Sequence, residues 1–127
     1  MPVELNHTIV HSRDHDDSAT FLADILGLAA PGHFGHFRTV EVANGVSLDF
    51  AARNEPITPQ HYAFLVSESE FDDIFGRIQA RHLDYWADPG RTKPGRLNHR
   101  DGGRGAYFLD PDGHVLEILT RPYGSGG

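Results

Sequence analysis

The chain of 127 residues carries 11 Lys+Arg against 18 Asp+Glu, a formal net charge of −7, and has no cysteine. One ordinary domain fits that length; the missing thiols exclude disulfides, iron–sulfur clusters and a cysteine nucleophile; the acidic balance argues against broad nucleic-acid or anionic-membrane binding. Apolar residues at 39% suffice for a core, no window reaches the roughly 18 to 20 apolar residues of a membrane span, and no secretory leader pattern opens the chain, so a cytoplasmic protein is expected.

In chain order, residues 3–11 read as a strand with Leu5, His7 and Ile9 on one face. Asp14 can cap a helix over 15–26, whose stripe is Phe21, Leu22, Ile25 and Leu26 and whose exit is Gly27. Gly32 and Gly35 mark a turn region, residues 36–42 a second strand, Asn44-Gly45 a hairpin turn and residues 46–52 a third strand. After the break at Glu55-Pro56-Ile57-Thr58-Pro59 the plan repeats. Residues 60–67 form a strand with His61, Ala63 and Leu65 on one face, and Ser67-Glu68-Ser69-Glu70 is a capping box for a helix carrying Phe71, Ile74, Phe75 and Ile78. A short strand at 83–87 leads into a Gly- and Pro-rich loop over 88–105. Strands at 106–109 and 114–120 flank Asp110-Pro111-Asp112-Gly113, and residues 124–127 read as a frayed tail.

The repeat extends to residues. Phe21, Leu22 and Ile25 align with Ile74, Phe75 and Ile78 at an offset of 53, and residues 44–50 align with 112–118 at an offset of 68. Each half, about 3–54 and about 60–123 of a single domain, thus places one histidine on its first strand (His7, His61) and one carboxylate on its last (Asp49, Glu117). A carboxylate flanked by apolar residues, as in Val115-Leu116-Glu117-Ile118-Leu119, is expected to be enclosed. An unpaired buried charge costs several kcal/mol, about the scale at which a partner becomes necessary; a metal ion or an arginine can be that partner.

Two strand–helix–strand modules with paired His and carboxylate positions and a terminal Asp-Pro-Asp-Gly-x-x-x-Glu resemble the vicinal oxygen chelate superfamily, to which glyoxalase I, bleomycin-resistance proteins, fosfomycin-resistance transferases and extradiol dioxygenases belong. The resemblance covers about residues 3–123 and implies an α+β fold of two βαβββ modules forming a curled mixed sheet. It implies one divalent metal (Fe, Ni, Zn, Mn or Co) held by His7, His61 and Glu117, which chelates adjacent oxygens of a small-molecule substrate and stabilises an oxyanion. Two His and one carboxylate suit that set of metals on chemical grounds too. A homodimer is expected, with His7 and Asp49 from one chain completing a centre with His61 and Glu117 of the other. Asp49 matches the place where glyoxalase I has a fourth ligand, a glutamate, and is one methylene shorter.

The reaction type stays open between glyoxalase-like lyase or isomerase and ring-cleaving dioxygenase; the other class is a drug-sequestering protein without catalysis. A three-residue turn with Gly113 left-handed closes Asp110 against His114 and brings Tyr107 opposite Glu117, beside the metal. Tyr107 at this spacing, with His99 upstream, resembles the extradiol dioxygenase signature; Ala106 and Leu97 depart from it. Asp49 as a loosely held base favours the isomerase type. Five of the eleven basic residues (Arg91, Lys93, Arg96, Arg100, Arg104) lie in the loop 91–104. There Asn98 and Arg104, together with His36 from the Gly-rich turn, are candidates to bind an anionic or phenolic substrate.

Overall fold

The computed structural model describes residues 2–126. Its contacts divide the chain after Thr58 into two units. Each unit is one four-stranded mixed sheet with one helix, the expected α+β arrangement of βαβββ modules.

The first unit contains β1 (His7–Ser12), α1 (His15–Leu26), β2 (Gly32–Phe34), β3 (Phe37–Glu41) and β4 (Ser47–Ala52), with strand order β1-β4-β3-β2. The helix begins where the Asp14 carboxylate accepts the N–H groups of Asp16 and Asp17, both at 3.1 Å, satisfying donors that have no partner within the helix. It ends at Gly27, whose φ of 72° is the left-handed conformation a glycine adopts without strain. Ser18, Ala19, Leu22, Ala23 and Ile25 are its buried residues. Small side chains thus share the face on which the apolar stripe alone places Phe21 and Leu26, and these two are only half-buried. β1 starts at His7, four residues later than the sequence pattern indicates: residues 2–6 are exposed, and of these Asn6 meets β4 through its carbonyl, which accepts the Ser47 N–H at 2.9 Å. β2 lies in the expected turn region: its three residues are all exposed, paired in an antiparallel ladder with β3, so no burial pattern betrays them.

The second unit contains β5 (His61–Leu65), α2 (Glu68–Ala80), β6 (Tyr85–Trp86), a 3-10 turn at Arg100–Gly102, β7 (Gly105–Leu109) and β8 (Val115–Leu119), in strand order β5-β8-β7-β6. The Ser67–Glu70 capping box is complete, and Phe71, Ile74 and Ile78 are buried. The turn before β8 closes as the sequence indicates. Gly113 has φ 86°, the Asp110 N–H donates to the His114 carbonyl at 3.0 Å, and Tyr107 stands opposite Glu117.

The repeat is also one of register. In the first unit β1 and β4 run parallel with His7 beside Ser47, two residues before Asp49; in the second, β5 and β8 run parallel with His61 beside Val115, two residues before Glu117. Side chains two apart on a strand share a face. Each unit therefore presents its histidine and its carboxylate on the same side of its own sheet.

Residues 124–126, expected to fray, are tied down. The Asp101 carboxylate accepts the N–H groups of Gly124 at 3.0 Å and Gly126 at 3.2 Å, and the Ser125 N–H donates to the Pro122 carbonyl at 3.1 Å. A Cβ on Gly126 would overlap the Asp101 backbone, so the close approach requires glycine there. Gly127 lies outside the described residues.

Candidate functional site

Glu117 is 1% exposed, in the centre of the second sheet. Burial is imposed by β8 itself, whose neighbours Leu116 and Ile118 are also buried and which is flanked by β5 and β7. The carboxylate has two partners. His61 Nε2 lies 3.1 Å from Oε1, and the Tyr123 hydroxyl donates to Oε2. His61, with 48% of its side chain exposed, reaches Glu117 from the adjacent strand.

The other ring nitrogen of His61 fixes the tautomer. Nδ1 lies 3.1 Å from the Val115 carbonyl oxygen, which can only accept, so Nδ1 carries the proton. Nε2 then turns a lone pair toward an acceptor-only carboxylate. Two lone pairs at 3.1 Å need a positive species between or beside them, a proton or a metal cation. A ligating histidine commonly donates its second N–H to a backbone carbonyl in this way. The donor set and its orientation therefore fit a divalent metal.

Tyr107 belongs to the same cluster. Its ring lies near-parallel to that of His61 with centroids 5.9 Å apart, and its hydroxyl is 2.8 Å from that of Tyr123. Arg100 Nη1 donates to both phenols, at 2.7 Å to Tyr107 and 3.2 Å to Tyr123. Burial, and after it the hydrogen bond to the Glu117 carboxylate, raises the Tyr123 phenol well above the usual tyrosine range. Arg100 is raised too, chiefly by its hydrogen bond to Tyr107. Neither Arg100 nor Tyr123 stands out in the sequence as a site residue: Arg100 is one of five loop cations, and Tyr123 follows Pro122 in a stretch without periodicity. The Asp101 contacts that deliver Tyr123 join residues more than twenty positions apart and leave no local pattern.

In the first unit His7 is exposed, with Nδ1 2.8 Å from the Asn6 side-chain oxygen. Asp49 is buried at 9% exposure and accepts the Ser47 hydroxyl at 2.7 Å. His36 is exposed in the turn after β2, its ring against Phe37 at 5.2 Å.

The remaining candidates lie around the loop of the second unit. Asn98 fastens that loop: its side chain donates to the Ala87 carbonyl at 2.9 Å, and its backbone bridges to Gly105. Arg104 faces α2, with Nε 2.8 Å from Glu68, Nη1 2.8 Å from Asp72, and its guanidinium 4.4 Å from the Phe71 ring centre. His99 is exposed just before the 3-10 turn. Thus His61, Glu117 and Tyr107 come together, while Asn98 and Arg104 bind other parts of their own unit. Among the described residues, the one group of three or more ligand-type atoms within 4.8 Å of one another is that of Asp14, His15 and Asp16, whereas His61 and Glu117 form a pair. Asp14 there caps α1 and Asp16 pairs with Arg38 at 2.5 Å, so helix capping and an ion pair account for both acids.

The profile of the Glyoxalase/Bleomycin resistance protein/Dioxygenase superfamily matches residues 4–118. The chain belongs to this superfamily. Among solved structures it is similar to oxidase ChaP-H1, at 69% identity and a TM-score of 0.95 over 96% of this chain and 98% of that one. It is also similar to oxidase ChaP-H2, at 64% identity and a TM-score of 0.97 over the whole of both chains. Among curated proteins, it is similar to glutathione transferase FosA of Serratia marcescens, at 28% identity over 90% of this chain and 78% of that protein's length. The superfamily fold is also that of the fosfomycin resistance protein FosX of Listeria monocytogenes, at a TM-score of 0.74 and 21% identity over the whole of both chains.

Proposed function

We propose that the protein is a metal-dependent superfamily enzyme of the oxidase type, acting on a small, oxygen-rich substrate such as a catechol with dioxygen as oxidant. The observation that carries this reading is the His61–Glu117 pair, an acceptor nitrogen facing a buried acceptor oxygen at 3.1 Å with the opposite ring N–H held by Val115. Similarity to two proteins named oxidases, at 69% and 64% identity over nearly the full chain, supports oxidation among the superfamily's reactions.

The residues that hold the metal in this reading are His7, His61 and Glu117, with Fe the best match to two His and one carboxylate and Ni, Zn, Mn or Co compatible. Bound there, the metal supplies Lewis acidity and open positions for two adjacent substrate oxygens. The chain supplies the rest. Burial of Glu117 keeps water from the carboxylate, and the His61 ring is oriented by Val115. Arg100 brings a positive charge to the two phenols beside the site, which favours an anionic or phenolic oxygen on the substrate. The exposed His99 and His36 take the outer role of shaping the approach, while Asn98 fastens the loop that carries Arg100. The protein works as a homodimer in which His7 and Asp49 of one chain meet His61 and Glu117 of the other. No helix among the described residues is long and apolar enough to cross a membrane, which agrees with a cytoplasmic role.

Asp49 favours a second reading. A buried carboxylate on the same face as His7 is placed to move a proton in an isomerase-type reaction. Metal analysis of purified protein, oxygen uptake with catechols, and turnover of 2-oxoaldehyde–thiol adducts and fosfomycin with thiols decide among these. Oxygen uptake dependent on stoichiometric Fe(II) supports the oxidase. Failure to bind any divalent metal by a folded protein sinks the enzyme reading and leaves a sequestering protein.

A further inference from the structure

The segment after β8 returns to the carboxylate that β8 provides. Arg121 Nη2 reaches the Ser125 carbonyl at 3.3 Å, Gly124 and Gly126 are tied to Asp101, and between these ties the Tyr123 hydroxyl lies on Glu117 Oε2. Donor bookkeeping gives the contact a direction. Glu117 only accepts, so the Tyr123 proton points to Oε2. The Tyr123 oxygen can then only accept from Tyr107 at 2.8 Å, so the Tyr107 proton points to Tyr123. Arg100, which only donates, closes the other side of both phenols. The result is a one-way relay, Arg100 to Tyr107 to Tyr123 to Glu117, ending on the oxygen that His61 does not face.

We propose that Tyr123, delivered by the Asp101-anchored strap 121–126, is a positioning residue of the metal centre: its hydroxyl occupies Glu117 Oε2 and so presents Oε1 alone toward His61. The inference rests on the metal-centre reading above. It assigns to residues 121–126 the task of fixing how Glu117 ligates, and it makes the Tyr107 hydroxyl a support for Tyr123 while the strap is in place. Strap anchoring depends on Asp101, which holds φ 57°, a conformation that Asn also tolerates. Asp101→Asn therefore keeps the backbone while replacing one of the two accepting oxygens by a donor.

The test is Co(II) titration of the full chain and of three variants, followed by visible absorption and competition with a chelator. Tyr123→Phe keeps the ring and loses the donor. It is expected to weaken Co(II) binding about 10- to 100-fold, the range for loss of an outer partner of a metal ligand, and to alter the ligand-field bands as the carboxylate changes its binding mode. Asp101→Asn is expected to move both readouts in the same direction, and it guards against misreading a folding defect of the tyrosine variant. Parental affinity and spectrum in both variants overturn the inference. His61→Ala separates the two levels. Loss of Co(II) there with parental behaviour in Tyr123→Phe and Asp101→Asn removes the strap's role alone. Parental binding in His61→Ala removes the metal centre and the strap's role with it.

Discussion

Tyr107 and Asp49 are the residues at which the two chemical readings part. Tyr107 is 2% exposed, and its ring lies along His61 on the same face as Glu117. In the oxidase reading the Tyr107 hydroxyl turns from Tyr123 to the bound substrate, so Tyr107→Phe at stoichiometric Fe(II) lowers turnover about 100- to 1,000-fold, the effect of losing one well-placed donor. If the hydroxyl serves packing alone, the rate is unchanged and stability falls by about 1 kcal/mol. Asp49→Asn is the reciprocal substitution: a large loss there with a silent Tyr107→Phe, measured as kcat on one substrate, shifts the assignment to the isomerase type. Their places on the sheets were legible because each sits on a strand whose period places it, and because the turn 110–114 fixes the count from Glu117 back to Tyr107. Tyr123 and Arg100 were not, since their positions follow from contacts made across the loop and the strap rather than from any period. Arg104 shows the opposite failure. Its place in a basic loop marks it for substrate, yet Glu68 and Asp72 on α2 compete for the guanidinium, and sequence alone does not reveal that the helix N-terminus is so close.

The helices and most strands follow local chemistry. Asp14 and Ser67 each begin a helix, and Gly27 ends the first, as their residue types indicate. β2 is the element that escapes, because an exposed edge strand of three residues has no face to bury. The second cap carries a pH dependence. The Ser67 backbone N–H donates to Glu70 at 2.8 Å and, with the Ser67 side chain, holds the Glu70 carboxyl below the ordinary glutamate range. A group with a lowered folded pKa stabilises the fold above its unfolded pKa and loses that contribution as pH falls through the folded one. Glu70→Gln keeps an acceptor for the box but cannot titrate. Its urea-unfolding midpoint is expected to change less between pH 5 and 3 than that of the parent (two values chosen to bracket an ordinary glutamate, roughly 4.3). An equal change in both proteins shows that Glu70 plays no part in the acid limb.

Each unit carries a strand histidine with a carboxylate two positions further along the parallel neighbour, which the proposed reading takes as half of a ligand set. A centre completed between chains has a specific signature in mixtures. His7→Ala and His61→Ala homodimers each lack one ligand in both centres, whereas a mixed dimer retains one complete centre. Unfolding and refolding the two variants together in equal amounts should restore about a quarter of the parental metal content, the statistical share for a two-fold dimer. No recovery, with dimers present by sedimentation, places all ligands within one chain.

The rung that carries Glu117 runs on across the whole second sheet: Ala63, Glu117, Tyr107 and Trp86 are successive partners. Trp86 is the sole tryptophan, and two strand spacings put it about 10 Å from the carboxylate's backbone. The protein thus contains its own optical reporter of loading. Paramagnetic Co(II) or Fe(II) should quench the indole emission at that range, whereas diamagnetic Zn(II) should leave its intensity largely unchanged. The quenching should vanish in His61→Ala, so occupancy can be followed in real time without a substrate or a label.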